Sequence, residues 1–253
     1  MYMVQDGGNK NKTYINTVEQ NESQMFNAGI KYRTDKLTHH GYERFYDYFL
    51  SPFKNKNINF FEIGVDAGRS LKMWNDYFTK AKVYGMDIGH EYDHERGKVF
   101  KGDQSNVDDL NKIINAIQRC SIILDDGSHV PEHQLFSFNH LFENMLSFGG
   151  IYIIEDIETS YWKDSTLYGY DVKAGYDKHN NIVNIFRKVS DIVNREFLSH
   201  EALNKIKSYK KINFENLKYI SFIMFGQNCI IIKKMSKDEY KKYGNRKYRF
   251  DKL

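Results

Sequence analysis

The sequence predicts an α/β fold built on a doubly wound, mostly parallel sheet. Three observations carry this. From residue 58 onward, short apolar runs alternate with helical patterns, the signature of such a sheet. Five of those runs end in acidic residues. The chain closes with two apolar runs around a tight turn, which adds an antiparallel C-terminal hairpin.

The elements follow in order. In "YRTDKLTHHGYERFYDYFLSPF", Tyr42, Phe45, Tyr46 and Phe49 fall at helical spacing and Pro52 ends the pattern. "INFFEIGV" is the first strand, and a Gly turn leads to the helical "SLKMWNDYF". "KVYGMDI" and "GKVFKGDQS" supply the second and third strands, and "VDDLNKIINAI" a helix. "CSIILDDG" is the fourth strand, followed by the helix "HQLFSFNHLFENML" and the fifth strand "GIYIIEDI". "YISFIMFGQNCIIIKK" gives two more around Gly-Gln-Asn, for a seven-stranded mixed sheet. Residues 1–30 are polar and aperiodic and are expected to form an arm or lid. Residues 31–253 read as a single domain. Within it, 159–216 are a substrate-side insertion holding one long amphipathic helix, "NIVNIFRKVSDIVNREFL". The Lys/Tyr-rich end, 233–253, is expected to be a solvated face.

Composition narrows the function. Apolar residues at 41% and charged residues at 28% fit an ordinary globular protein. A net charge of +4 without a basic stripe argues against a nucleic-acid partner. No apolar run approaches the ~20 residues of a membrane span, and "MYMVQDGGNKNK" lacks the apolar core of a signal peptide. Cys120 and Cys229 adjoin apolar runs and are expected to be buried thiols in a reducing compartment, so a cytoplasmic location is expected. A homo-oligomer is compatible with all of this.

Ligands of open α/β sheets bind outside the carboxyl ends of the strands. Those ends are Glu62-Ile-Gly64, Asp87, Gly102-Asp103-Gln104, Asp125-Asp126 and Glu155-Asp156. A phosphate site needs positive charge or a Gly-rich helix start. This acidic rim calls for a cation. The turn Glu62-x-Gly64-x-x-x-Gly68-x-Ser70 lacks the Gly spacing of the dinucleotide fingerprint. Asp87 can accept both hydroxyls of a ribose. Together they favour S-adenosylmethionine over a nicotinamide dinucleotide.

The segments "TDK…H", "FFEIGVDAGRSLKMWNDYF", "VYGMDI", "GDQS", "LDDGSH" and "GGIYIIEDIETSYW" resemble the class I, S-adenosylmethionine- and metal-dependent O-methyltransferases that act on sugars. The mycinamicin and tylosin sugar O-methyltransferases are examples. Enzymes that methylate nucleotide-linked heptoses for bacterial capsules are similar. The resemblance covers residues 31–162 and implies a Rossmann-like methyltransferase fold. It implies that Glu62, Gly64 and Ser70 lie along the methionine end of the cofactor, that Asp87 holds the ribose, and that Asp103 and Gln104 lie near the adenine. Thr34 and Lys36 belong to a motif that closes over the cofactor. Asp126, Glu155 and Asp156 match the family's metal carboxylates, and His129 its catalytic base. Asp125 either replaces Asp126 as ligand or touches the cofactor amine. The implied activity is methylation of a sugar hydroxyl, with Mg²⁺ or another divalent cation, on a nucleotide-linked sugar for capsule or surface polysaccharide. The alternative is a catechol-type or other small-molecule O-methyltransferase.

The chemistry explains the residue types. A sugar hydroxyl holds its proton tightly, and a cation that binds it lowers its pKa. Mg²⁺ suits three carboxylates with open positions. A histidine can then take the proton. Plainer roles compete for the same residues. The Glu155-Asp156 pair could cap a helix, Ser128 could cap the helix that Pro131 begins, and His133 is a rival base one turn past His129. Trp74, Trp162 and the Tyr/Phe positions read mostly as core, with Tyr161 or Trp162 a candidate to line the acceptor pocket. A base-modifying nucleic-acid methyltransferase is disfavoured, because Pro52 and Pro131 are the only prolines and no Pro-Pro motif exists. A non-catalytic binding module would not be expected to keep the full set of base and ligands.

Overall fold

The structure is a computed structural model describing residues 23–244 except 177, 180, 210 and 212. Most of the predicted N-terminal arm, and the last nine residues of the Lys/Tyr-rich end, lie outside the described residues. The end of that arm is helix α1 (Gln24–Tyr32). It is followed by α2 (Asp35–Thr38) and α3 (Glu43–Leu50). The alternating core runs β1 (Asn59–Ile63), α4 (Arg69–Tyr77), β2 (Lys82–Asp87), β3 (Tyr92–His94), β4 (Gly97–Lys101), α5 (Val107–Ile117), β5 (Cys120–Asp125), α6 (Pro131–Asn144) and β6 (Leu146–Glu155). The insertion contributes a hairpin of β7 (Ser165–Leu167) and β8 (Tyr170–Val172), then α7 (Ile182–Val193), α8 (His200–Lys207) and α9 (Phe214–Leu217). The chain continues with β9 (Ile220–Gly226), β10 (Cys229–Lys234) and α10 (Lys237–Tyr243).

The main sheet has eight strands in the order β3-β4-β2-β1-β5-β6-β10-β9, one more than expected. The extra strand is β3, three polar residues antiparallel to β4 at the sheet's edge. It carries no apolar run, so hydrophobic patterning does not reveal it. β4, β2, β1, β5 and β6 are parallel neighbours. β10 pairs antiparallel with β6, and β9 with β10, so the C-terminal hairpin forms as expected. The long insertion helix stops at Val193, short of its pattern, and a 3₁₀ turn carries Arg195–Phe197.

Both faces of the sheet are covered. Phe60, Ile122, Leu124, Ile151 and Ile153 pack with Trp74, Tyr77, Tyr42 and Tyr46 on the side of α1, α3 and α4. Phe61, Ile123, Tyr152 and Ile154 pack with α5, α6 and α7 on the other. Strands buried on both faces are apolar throughout, which is why β1, β5 and β6 show unbroken runs. Cys120 and Cys229 are free and buried. No helix among the described residues is long and apolar enough to cross a membrane.

One basic residue at the predicted solvated end is not solvated. Lys234 is 4% exposed. Its Nζ donates to Phe142 O at 2.6 Å and Leu146 O at 2.9 Å. It thereby satisfies the Phe142 carbonyl in the last turn of α6, which the helix cannot bond itself, and the carbonyl of Leu146, which opens β6. Burial, with a smaller push from Arg119, pulls its pKa down to about 8. Between that value and the ordinary 10.5 the unfolded chain binds the extra proton, so stability rises with pH across this window. Urea unfolding at pH 8 and pH 10 should show this rise in the native protein and its loss in Lys234→Met.

Candidate active site

The strand order reverses direction on either side of β1, between β2 and β5. In doubly wound sheets the crevice at such a switch point takes the ligand. Here the crevice is a cavity of about 530 Å³, lined by the turns that follow β1, β2, β4, β5 and β6. Gly64 opens it. Its φ is +81°, and a Cβ there would lie 1.9 Å from the Asp126 carbonyl oxygen. The β1 and β5 turns thus touch through backbone, which only glycine permits.

Most of the predicted cofactor residues gather here, and several already have partners. Thr34, Gly64, Ser70, Asp87, Asp103 and Gln104 line the cavity. Ser70 Oγ donates to Glu62 Oε2 at 2.8 Å. Glu62 itself is fully buried, and burial pushes its carboxyl up to about 7. Asp87 is filled from all sides. Its Oδ2 accepts from the N–H of Val65 and Asp66 at 3.2 and 3.0 Å. Its Oδ1 accepts from the N–H of Gly89 and His90 at 2.8 and 3.1 Å and faces His90 Nδ1 at 2.9 Å. Burial alone would raise its pKa; these donors outweigh burial and hold it below the usual carboxylate value. Asp103 Oδ1 accepts from Ser105 N and Oγ.

The adjacent pair Asp125-Asp126 divides its work. Asp125 is fully buried beneath the cavity, with Gln104 Nε2 at 3.0 and 3.1 Å and Ser137 Oγ at 2.6 Å. Burial pushes it up to about 6. Gln104 also accepts from Ser128 N at 2.6 Å, so it ties the β5 turn in place. Asp126 faces the cavity instead.

The predicted metal carboxylates are divided too. Ligand atoms of Asp126, His129 and Asp156 lie within 4.8 Å of one another. His129 Nε2 is 3.7 Å from Asp156 Oδ2, and its Nδ1 is buried without a hydrogen-bond partner. Asp156 Oδ1 accepts from Tyr42 Oη at 2.7 Å and Asn228 Nδ2 at 2.9 Å. Both His129 and Asp156 adopt left-handed backbone, with φ of 56° and 51°. Such strain persists where surrounding structure enforces it, often at functional sites. Glu155 is turned inward: Lys36 Nζ is 2.5 Å from its Oε2, and Tyr46 Oη donates to its Oε1. Lys36 is not on the cavity wall. It is buried between Glu155, Asp126 at 2.5 Å and Glu62 at 3.3 Å. Burial works against its charge, and these three carboxylates outweigh burial and hold the ammonium protonated.

His133 lies off the cavity, with Nδ1 2.9 Å from Ser128 Oγ. The alternative in which Ser128 caps the helix does not hold; α6 begins at Pro131 after Val130. The insertion tyrosines that line the cavity are Tyr168 and Tyr170, not Tyr161 or Trp162. Tyr161 stacks outside on Tyr176. Sequence reasoning missed the phenols of Tyr42 and Tyr46, which the helical spacing presents simply as core. A hydroxyl on each of two same-face residues was the available signal.

The sheet order and the acid-rimmed crevice define a class I methyltransferase fold. No protein-family profile matches the chain. A stretch of 142 residues, 53% of this chain, is 36% identical to 8-demethyl-8-alpha-L-rhamnosyl tetracenomycin-C 2'-O-methyltransferase of Streptomyces olivaceus and covers 37% of that enzyme. Mycinamicin VI 2''-O-methyltransferase of Micromonospora griseorubida is 34% identical over 132 residues, 49% of this chain and 33% of that enzyme. L-olivosyl-oleandolide 3-O-methyltransferase of Streptomyces antibioticus is 32% identical over 146 residues, 53% and 37% of the respective chains. In structure the chain superposes on the MycE methyltransferase of the mycinamycin biosynthetic pathway, solved with Mg, SAH and mycinamycin VI. The TM-score is 0.72 at 25% identity, covering 86% of this chain and 55% of that one. The homologues are thus sugar O-methyltransferases, as the motifs suggested. The matches span little more than a third of the curated relatives' length.

The close approach at Gly64 is directly testable. Gly64→Ala combines left-handed strain, worth about 1–3 kcal/mol, with a backbone collision. It should lower the melting temperature by several degrees, and a thermal melt of the purified variant checks this.

Proposed function

We propose that the chain transfers a methyl group from S-adenosylmethionine to a sugar hydroxyl, assisted by a divalent cation. The observation that carries this is one cavity whose wall holds the Gly64 turn and Asp87 together with Asp126, His129 and Asp156. Its volume of about 530 Å³ falls in the ~300–1,000 Å³ range of small-molecule sites. Solved MycE carries Mg and SAH, which supports both groups here.

In this reading Thr34, Gly64 and Ser70 border the methionine end, and Asp103 and Gln104 the adenine. Asp87 receives the ribose diol. A carboxylate has about four lone-pair sites, and here backbone N–H groups hold them, so the diol replaces some of those bonds. Asp126, Asp156 and Glu155 would hold Mg²⁺ or a similar ion, a donor set of hard oxygens that fits it. When bound, such an ion lowers the pKa of the acceptor hydroxyl and fixes its direction. His129 takes the hydroxyl proton at Nε2. The oxygen's electron pair would form the new O–C bond as the S–C bond breaks, with the electrons of the broken bond left on sulfur. Asp156 stabilises the imidazolium that results.

The acceptors named for the relatives are sugars on antibiotic aglycones. The nucleotide-linked capsule sugar expected from the motifs gains no support from them, so the acceptor class proposed is a deoxy- or hexose sugar hydroxyl in either linkage. A second reading has its own support. The convergence of His129 with Asp126 and Asp156 supports the histidine as a ligand instead of the base.

Incubation with methyl-labelled cofactor, a panel of nucleotide sugars and glycosides, and a chelator arm tests the activity. Label should reach a sugar, and chelation should abolish it; full transfer after exhaustive chelation defeats metal assistance. His129→Ala should lower turnover about 10²–10⁴-fold while affinity for S-adenosylhomocysteine stays near native. If His129 is the base, Mn²⁺ affinity survives the substitution. If it is a ligand, Mn²⁺ affinity falls with turnover.

A further inference from the structure

Lys36 carries a positive charge into the acidic end of the sheet. It projects from the four-residue α2, and its side chain is 1% exposed. An ammonium leaves water only where opposite charges and hydrogen bonds replace its hydration. Here Asp126 Oδ2 and Glu155 Oε2 each lie 2.5 Å from Nζ, with Glu62 Oε1 at 3.3 Å. Two of these three carboxylates belong to the proposed metal set. The second oxygen of Glu155 accepts from Tyr46. Both Glu155 oxygens thus have partners, and the cluster that converges is Asp126, His129 and Asp156.

We propose that Lys36 is an intramolecular stand-in for the divalent cation. Its ammonium neutralises Asp126 and Glu155 in the metal-free protein and withdraws when the ion binds, freeing Glu155 as a ligand. The proposal rests on the metal-assisted reading above. Its physical basis is competition for the same oxygens. An unneutralised group of buried carboxylates repels itself, so the empty site needs a resident positive charge. A divalent ion brings twice that charge to the same place. Lys36 is also the side chain that fastens α2 to the strand ends. Thr34 and Asp35 beside it line the cavity, so the ion's arrival reshapes the cavity wall.

The test uses Mn²⁺ as the probe, on the full chain without cofactor. Electron paramagnetic resonance titration should show Lys36→Met binding Mn²⁺ about tenfold tighter than the native protein, since a unit charge in contact with Asp126 has gone. Adding Glu155→Gln to Lys36→Met should return the affinity toward native. Hydrogen exchange is read on the native protein, so it is independent of the variant's folding. The amides of residues 37–40 and of Tyr42, bonded to the carbonyls of Thr34, Asp35 and Lys36, should exchange faster at saturating Mn²⁺. A folded Lys36→Met with equal or weaker Mn²⁺ affinity overturns the proposal, as does unchanged exchange in Mn²⁺-loaded native protein. Either result, with Mn²⁺ still bound by the native chain, leaves the metal-assisted reading standing. Failure of native and variant alike to bind Mn²⁺ removes both.

Discussion

The constraint on which this structure depends is the charge at the carboxyl edge of the sheet. Glu62, Asp126 and Glu155 end adjacent strands, and parallel pairing forces those ends together. Their mutual repulsion and desolvation oppose folding unless opposite charge reaches them. Lys36 reaches them from a segment before the first strand. The N-terminal helices are therefore part of the domain's electrostatics. They also supply Tyr42 and Tyr46, whose hydroxyls hold Asp156 and Glu155.

The same constraint separates roles among near-identical groups. Asp125 and Asp126 are neighbours, yet strand alternation sends one beneath the turn and the other into the cavity. Asp125 gathers Gln104, Ser137 and the Gly127 amide, and it organises the β5 turn. Asp126 is left facing the cavity beside His129. At β6 the sheet ends at Glu155, and the left-handed backbone of Asp156 turns the next carboxylate toward the cavity. At both strand ends the first acid is buried and its neighbour lines the cavity.

Much of the fold was legible in the sequence because burial on both faces leaves unbroken apolar runs, and these marked β1, β5, β6 and the C-terminal hairpin. β3 was not legible, since its three residues pair with β4 through backbone alone and bury little. The acidic strand ends pointed by position to the crevice at the switch point. What they could not show is where each side chain turns. Glu155 and Lys36 illustrate this: both sit in recognisable motifs, and their meeting depends on contact across 119 residues. Lys234 is the same lesson on the far side. A lysine beside another lysine looks solvated, and only the packing of the α6 end and the start of β6 against it supplies two carbonyls.

The insertion completes the division of labour. Tyr168 and Gly169 form the tip of the β7–β8 hairpin, both with positive φ. The hairpin sets the Tyr168 ring 5.7 Å from His129 and the Tyr170 ring edge-on to His133 at 5.0 Å. Its residues pair with each other and not with the main sheet. This part of the cavity wall can therefore change shape and chemistry without disturbing the strand ends that the carboxylates and Lys36 hold. Aromatic faces beside hydrogen-bonding groups suit an acceptor with one apolar and one hydroxylated side. The sheet thus fixes the carboxylates, and the hairpin supplies an aromatic side of the same cavity.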